Sequence, residues 1–288
     1  MARRTLSKNE AKLILDLEWR GQRTVTLREL HAALGGSAGY ARYMAHVLAR
    51  KGWLERLRPG LFQLIPADRG REGVADTNPL AAGAVLVRPY FFSFGTACTY
   101  HGLTQQAFAD VYVTCRSRRR ARMIRGTRYV FTYSGAKRFF GFEEASVLGT
   151  TVQMATPERA LLDALDRPHY AGGLGEVSGM VARSLARLES KRLIEMLERW
   201  GESALGQRLG YLAHLNGAEL TPSLRRTLER LARLGGNLLL GPRRRWGTLG
   251  RLVRPWSIVE NVPREVLVER GAERGRRVTF DPGRRRDR

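Results

Sequence analysis

The chain has 288 residues and a formal charge of +23, from 50 Lys and Arg against 27 Asp and Glu. Its length accommodates two domains, and a hydrophobic content of 43% is that of a protein with buried cores, which excludes a disordered chain. No stretch approaches the roughly 20 apolar residues of a membrane span, and the opening Met-Ala-Arg-Arg-Thr lacks the apolar run of a secretory signal. Two cysteines without a C-x-x-C spacing suggest neither a disulfide scaffold nor a thiolate zinc site, and fit a reducing cytoplasm.

Two capping boxes open the chain. Ser7 with Glu10 and Thr26 with Glu29 fit the S/T-x-x-E pattern, in which each side chain satisfies an amide left unpaired at a helix start. The first helix carries Leu13, Ile14 and Leu17 on one stripe and the second carries Leu27, Leu30 and Leu34, the spacing of core-facing surfaces. Gly35-Gly36 breaks the chain. A third helix starts near Ser37 and runs to Lys51, where Gly52 can end it in the left-handed conformation. Its apolar positions Ala41, Met44, Ala45 and Leu48 share one face, leaving Arg42, Tyr43, His46 and Arg50 on the other. Two short strands, Trp53 to Arg56 and Leu61 to Leu64, then flank Arg58-Pro59-Gly60, with Arg56 and Arg58 at the hairpin tip.

Three helices and a basic hairpin in this order spell a winged helix-turn-helix, whose third helix enters the major groove. An arginine there can meet guanine O6 and N7 with two hydrogen bonds. The expected DNA contacts are Ser37, Tyr40, Arg42, Tyr43, His46 and Arg50 on the helix and Arg56 and Arg58 on the wing.

Residues 1–66 form this module, and the polar, glycine-bearing residues 67–76 read as a linker. Residues 77–288 read as an α/β domain with a helical C-terminal part, so the fold class is mixed α/β (α+β). Asn78-Pro79 opens a helix reaching Val87, Tyr90-Phe91-Phe92 is a strand, and Ser93 caps a short helix closed by Gly102. Strands are expected at Val111 to Cys115, Thr127 to Thr132 and Thr151 to Met154. Thr156-Pro157-Glu158 starts a further helix, with a threonine cap, a proline in the first turn and an acid near the positive end of the dipole. Apolar stripes then mark four helices, through Val181 and Leu185; Leu193, Leu197 and Trp200; Leu205, Leu209 and Leu212; and Leu224, Leu228 and Leu231. Arg243 to Trp246 and Trp256 to Val259 are expected to be extended, and residues 283–288 to be a frayed basic tail.

The stretches Gly52-Trp53-Leu54, Arg58-Pro59-Gly60-Leu61-Phe62, Tyr90-Phe91-Phe92-Ser93, Tyr100-His101-Gly102-Leu103, Val111-Tyr112-Val113 and Ala155 to Asp163 follow one another in order. Together they resemble the AbiEi family of antitoxins from type IV toxin-antitoxin systems, over roughly residues 6–215. The resemblance implies a bifunctional protein. Its winged helix would bind promoter inverted repeats in double-stranded DNA and repress its own operon. Its second domain would counteract a nucleotidyltransferase toxin, in this family without a stable complex.

Catalytic chemistry has little support in the sequence. Glu158 and Asp163 lie five residues apart, about 500° of helical rotation, and no lysine stands nearby to complete a nuclease site. The five histidines show neither H-x-x-x-H nor H-E-x-x-H spacing, and no phosphate loop or glycine-framed nucleophile turn occurs. No enzyme activity, catalytic residue, metal or cofactor is therefore expected. The run Arg116, Arg118, Arg119, Arg120 and Arg122, continued by Arg125 and Arg128, holds no carboxylate. It reads as a solvated loop, as a second DNA contact, or as a surface for tRNA or the toxin. The alternatives from other classes are a nuclease-like enzyme using the acids and an RNA-binding protein using residues 116–128.

Overall fold

The computed structural model describes residues 5–67, 78–124, 126–148 and 150–268. Most of the expected linker and the whole of the expected tail lie outside the described residues. The chain opens with α1 (Lys8–Trp19), β1 (Thr24–Thr26), α2 (Leu27–Leu34), α3 (Ala38–Arg50), β2 (Leu54–Arg58) and β3 (Leu61–Leu64). The strands form an antiparallel sheet in the order β1-β3-β2, with Val25 opposite Phe62 and Glu55 opposite Gln63. This is the winged-helix arrangement. The sequence reading lacked β1, whose Thr26 also caps α2 by accepting the Glu29 amide at 3.2 Å. Leu13, Ile14, Leu17, Leu30, Ala45, Leu48, Trp53 and Phe62 belong to one buried cluster, so this segment closes a core from its own residues.

Next come α4 (Pro79–Ala84), β4 (Tyr90–Phe92), α5 (Phe94–Tyr100), β5 (Asp110–Cys115), β6 (Arg122–Ile124), β7 (Thr127–Tyr133), β8 (Phe142–Val147) and β9 (Thr150–Ala155). Six of these form a mixed sheet in the order β6-β7-β5-β4-β9-β8. β4 runs antiparallel to β5 and parallel to β9, pairing Phe92 with Met154, and β5 runs parallel to β7. Phe91 and Phe92 are fully buried in it.

The C-terminal part is helical: α6 (Pro157–Asp166), α7 (Leu174–Ser184), α8 (Ser190–Trp200), α9 (Ser203–Leu215) and α10 (Pro222–Leu234). It ends with β10 (Leu238–Leu239), α11 (Arg243–Trp246), β11 (Arg251–Val253), β12 (Ile258–Glu260) and α12 (Arg264–Leu267), the strands forming a small sheet in the order β10-β12-β11. The expected extended run at Arg243 to Trp246 is instead a helical turn, entered through Pro242 and stopped by Gly247 at φ +73°. Trp256 likewise ends a 3-10 turn, and only Ile258 and Val259 of that stretch are extended. The Trp256 ring packs so tightly on α9 that a Cβ at Gly210 would overlap it.

Packing divides the described residues into two compact units. One takes its described residues from Met1–Phe92 and Ala109–Met154, the other from Ser93–Phe108 and Ala155–Arg288. The division falls after β4 at Phe92 to Ser93, before β5 at Phe108 to Ala109, and at Met154 to Ala155, the last residue of β9.

Within the winged helix, Glu10 ties α1 to the end of α3. Its Oε2 accepts the Ser7 amide at 2.7 Å, and Lys51 Nζ donates to Oε1 at 2.9 Å and to Oε2 at 2.7 Å. Burial alone would raise the carboxyl pKa, but the Lys51 and Ser7 hydrogen bonds outweigh it and hold the group below its ordinary 4.5. A depressed carboxyl stabilises the fold above its unfolded pKa, and that contribution is lost as pH falls through the folded value. Chemical denaturation followed from pH 7 down to 3 is expected to show stability falling below about 4.5 with a component that Glu10→Gln removes; an unchanged pH profile in the variant would contradict the linkage.

Candidate nucleic-acid interface

α3 is sealed on one side and open on the other. Ala41, Met44, Ala45 and Leu48 are buried, whereas Tyr40, Arg42, Tyr43, His46 and Arg50 are exposed, Tyr43 to 63% despite its aromatic ring. Ser37 is exposed too, and its Oγ accepts the Tyr40 amide at 3.1 Å, so it has a capping role independent of any ligand. The turn before α3 is held by His31, whose Nε2 lies 3.0 Å from the Gly36 carbonyl oxygen. Among the described residues, no ion pair engages Arg42, Arg50, Arg56 or Arg58.

The wing differs in detail from expectation. Arg58 sits at the Pro59-Gly60 turn, but Arg56 stands further down, opposite Phe62, because the register shifts between them and Leu57 turns into the core. Gly60 adopts φ +77°, and its carbonyl accepts the Leu27 amide at 2.9 Å, which docks the turn on the start of α2. Both arginines remain exposed.

The arginine run is more ordered than a simple loop. β6 pairs antiparallel with β7, so Arg122 stands on an edge strand, and the connection proper is residues 116–121. Because β5 and β7 are parallel, this connection must cross over the end of β7. Arg118 stacks there, its Cζ 5.5 Å from the Tyr133 ring centre, and Arg116 lies 5.9 Å from that of Phe139. Arg119 Nε donates to Ser117 Oγ at 3.0 Å, and Arg128 pairs with Asp110 at 3.1 Å. That carboxylate lies outside the run, so its sequence gave no sign of the pair. Arg116, Arg118, Arg119, Arg120 and Arg122 are exposed, and Arg125 lies outside the described residues.

A cleft of about 370 Å³ in the same unit is lined by Thr24, Thr26 and Arg58 of the winged helix together with Arg88 and Arg119. The wing and the arginine crossover thus share one basic cleft, with Glu29 as its acidic member. Arg88 was missed from the sequence, where it is an isolated basic residue between apolar neighbours.

The acids weighed for catalysis are built into the core. Glu158 is buried, and its Oε1 accepts the Glu189 amide at 3.1 Å. Asp163 is buried against Arg159, Oδ1 to Nε 2.9 Å, and the Arg159 guanidinium lies 4.5 Å from the Trp200 ring centre. Burial pushes the Asp163 pKa up against the pull of Arg159. No group of three or more His, Cys, Asp or Glu able to hold a metal occurs among the described residues.

A winged helix-turn-helix continuing into a mixed sheet and a helical C-terminal part is therefore the class of this protein. Residues 12–65 match the family model described as "Transcriptional regulator, AbiEi antitoxin", the family that the sequence resembles. The match spans the winged helix. No curated protein matches the chain. The crystal structure of the RV2827C protein from Mycobacterium tuberculosis is similar in fold, with a TM-score of 0.60 at 16% identity, covering 90% of this chain and 93% of that one. No described helix is long and apolar enough to cross a membrane.

Removing one partner of a buried ion pair strands the other charge, which costs about 3–5 kcal/mol. Urea unfolding of the full chain should report a loss of that order for Asp163→Ala, and the paired replacement Arg159→Met with Asp163→Leu should recover much of it. A neutral Asp163→Ala variant would show that the pair has no structural role.

Proposed function

We propose that the protein is a DNA-binding antitoxin and autorepressor of a type IV toxin-antitoxin operon, acting in the cytoplasm and without catalysis of its own. Its winged helix binds promoter inverted repeats, and the remainder of the chain counteracts a nucleotidyltransferase toxin. The observation that carries the DNA reading is the outer face of α3. Arg42, Tyr43, His46 and Arg50 are exposed there on a helix whose opposite face is fixed in the core. A rigid helix with guanidinium and imidazole donors on its free face has the chemistry needed at base edges. The charge of +23 supplies counterion release at the phosphates. The antitoxin half rests on the family description and on the resemblance.

Arg119 and Arg58 lining one cleft favours the crossover as a second contact on the duplex that the wing engages. Arg118, stacked on Tyr133, needs less ordering on binding than a free arginine would.

Gel shifts on the promoter repeats and on random duplex test the first contact. Arg42→Ala or His46→Ala should weaken binding to the repeats far more than to random DNA, a base-contacting arginine being worth about 1–3 kcal/mol. Equal losses on both DNAs would reassign these residues to phosphate contact. Changing Arg118, Arg119 and Arg120 together to Ser should flatten the logarithmic salt slope by up to about 2.7, three phosphates at about 0.9 each. An unchanged slope with lost rescue from the co-expressed toxin would move the crossover to the antitoxin function. A full chain that binds neither DNA would remove the repressor reading.

A further inference from the structure

The helical unit contains a cleft of about 600 Å³ that the DNA reading does not use. One wall is the glycine-rich entry to α7, the other the turn that carries α11, and Arg208 of α9 also lines it. Arg208 Nη1 donates to the Leu165 carbonyl at 3.1 Å, while its Nε is buried without a hydrogen-bond partner. Burial lowers the Arg208 pKa, and the nearby Asp166 and Glu202 offset this only in part. Arg243 and Arg245 line the cleft as well, giving three guanidiniums against one carboxylate, that of Asp166, which is paired with Arg167 at 3.4 Å.

The α11 wall is a constructed one. Buried Asn261 accepts the Gly241 amide at 2.9 Å and donates to the carbonyls of Gly241 at 3.1 Å and Gly247 at 2.9 Å, clamping both ends of the turn. A Cβ on Gly241 would collide with Val262 and Trp246. Trp246 lines the cleft and carries Arg245 on its ring, Cζ 4.9 Å from the centre. Across from it, Gly172 and Gly173 take φ +83° and +92°, and Gly173 occupies the N-cap of α7 without a side chain to cover the first amides.

We propose that this cleft binds a nucleoside phosphate, with the phosphate on Arg208, Arg243 and Arg245 and the base against Trp246. The half-buried Arg208, whose Nε lacks a partner, together with the exposed Arg243 and Arg245 calls for an anionic acceptor. The volume exceeds what inorganic phosphate needs and lies within the roughly 300–1,000 Å³ of small-molecule sites. A flat indole beside the cations suits a base, whose π-face stacks on aromatic side chains.

Isothermal titration of the full chain with ATP, GTP, CTP and UTP in turn, and with inorganic phosphate, tests the proposal. At least one nucleotide is expected to bind at one site and more tightly than phosphate. Arg208→Met, which keeps the aliphatic stem, and Trp246→Leu should each weaken that binding by about tenfold or more. Arg42→Ala and the Ser triple at Arg118, Arg119 and Arg120 should leave it unchanged, which separates this site from the DNA surface. A chain of this charge attracts any polyanion, so nucleotide binding that survives both cleft variants at full strength would place the ligand elsewhere and overturn the proposal. Failure of all four nucleotides to bind would do the same. Phosphate binding as tightly as the nucleotides, lost in Arg208→Met but kept in Trp246→Leu, would overturn the nucleoside assignment. If Arg208→Met does not fold, the exposed pair Arg243→Ser with Arg245→Ser carries the same arm.

Discussion

The winged helix depends on one carboxylate. Glu10 belongs to the cap of α1, yet it also receives both hydrogen bonds from Lys51, the residue that ends α3. A cation at the C-terminal end of a helix and an anion at the N-terminal end of another each complement the local dipole. Joining them fixes the end of α3 relative to α1, while the buried face of α3 fixes its rotation. The placement of Arg42, His46 and Arg50 follows from those two constraints.

This part was legible because its signals are local. A capping box names its own helix start, and the period of Ala41, Met44, Ala45 and Leu48 names the buried face and hence the free one. Most of the elements missed were short and exist through their partners, although the six-residue β8 was missed as well. β1 has three residues and is a strand because it pairs with β3. β6 is an edge strand of mostly exposed residues that gains its form from β7. α11 is a single turn set by Pro242, Gly247 and the Asn261 clamp, the last of which no local pattern could announce.

The candidate interface was legible to a similar degree. The free face of α3 came from periodicity, whereas the meeting of Arg58, Arg88 and Arg119 depends on the sheet crossover and on tertiary packing. The Glu158 and Asp163 pattern shows the opposite case, in which acids that looked eligible for chemistry are committed to the Glu189 amide and to Arg159. Burial decided their role, and burial of a charged residue is what sequence conveys least well.

The two compact units are interleaved along the chain, which passes between them at Phe92 to Ser93, Phe108 to Ala109 and Met154 to Ala155. Order of synthesis therefore matters. The winged-helix core closes with residues no later than Leu64, so it can assemble as soon as that segment leaves the ribosome, in keeping with domains folding from the N-terminus. β4 has no such freedom, since its parallel neighbour β9 is made more than fifty residues later. A growing chain thus completes its third helix and wing well before the sheet, and a ribosome stalled in the middle of the message would present the N-terminal module alone.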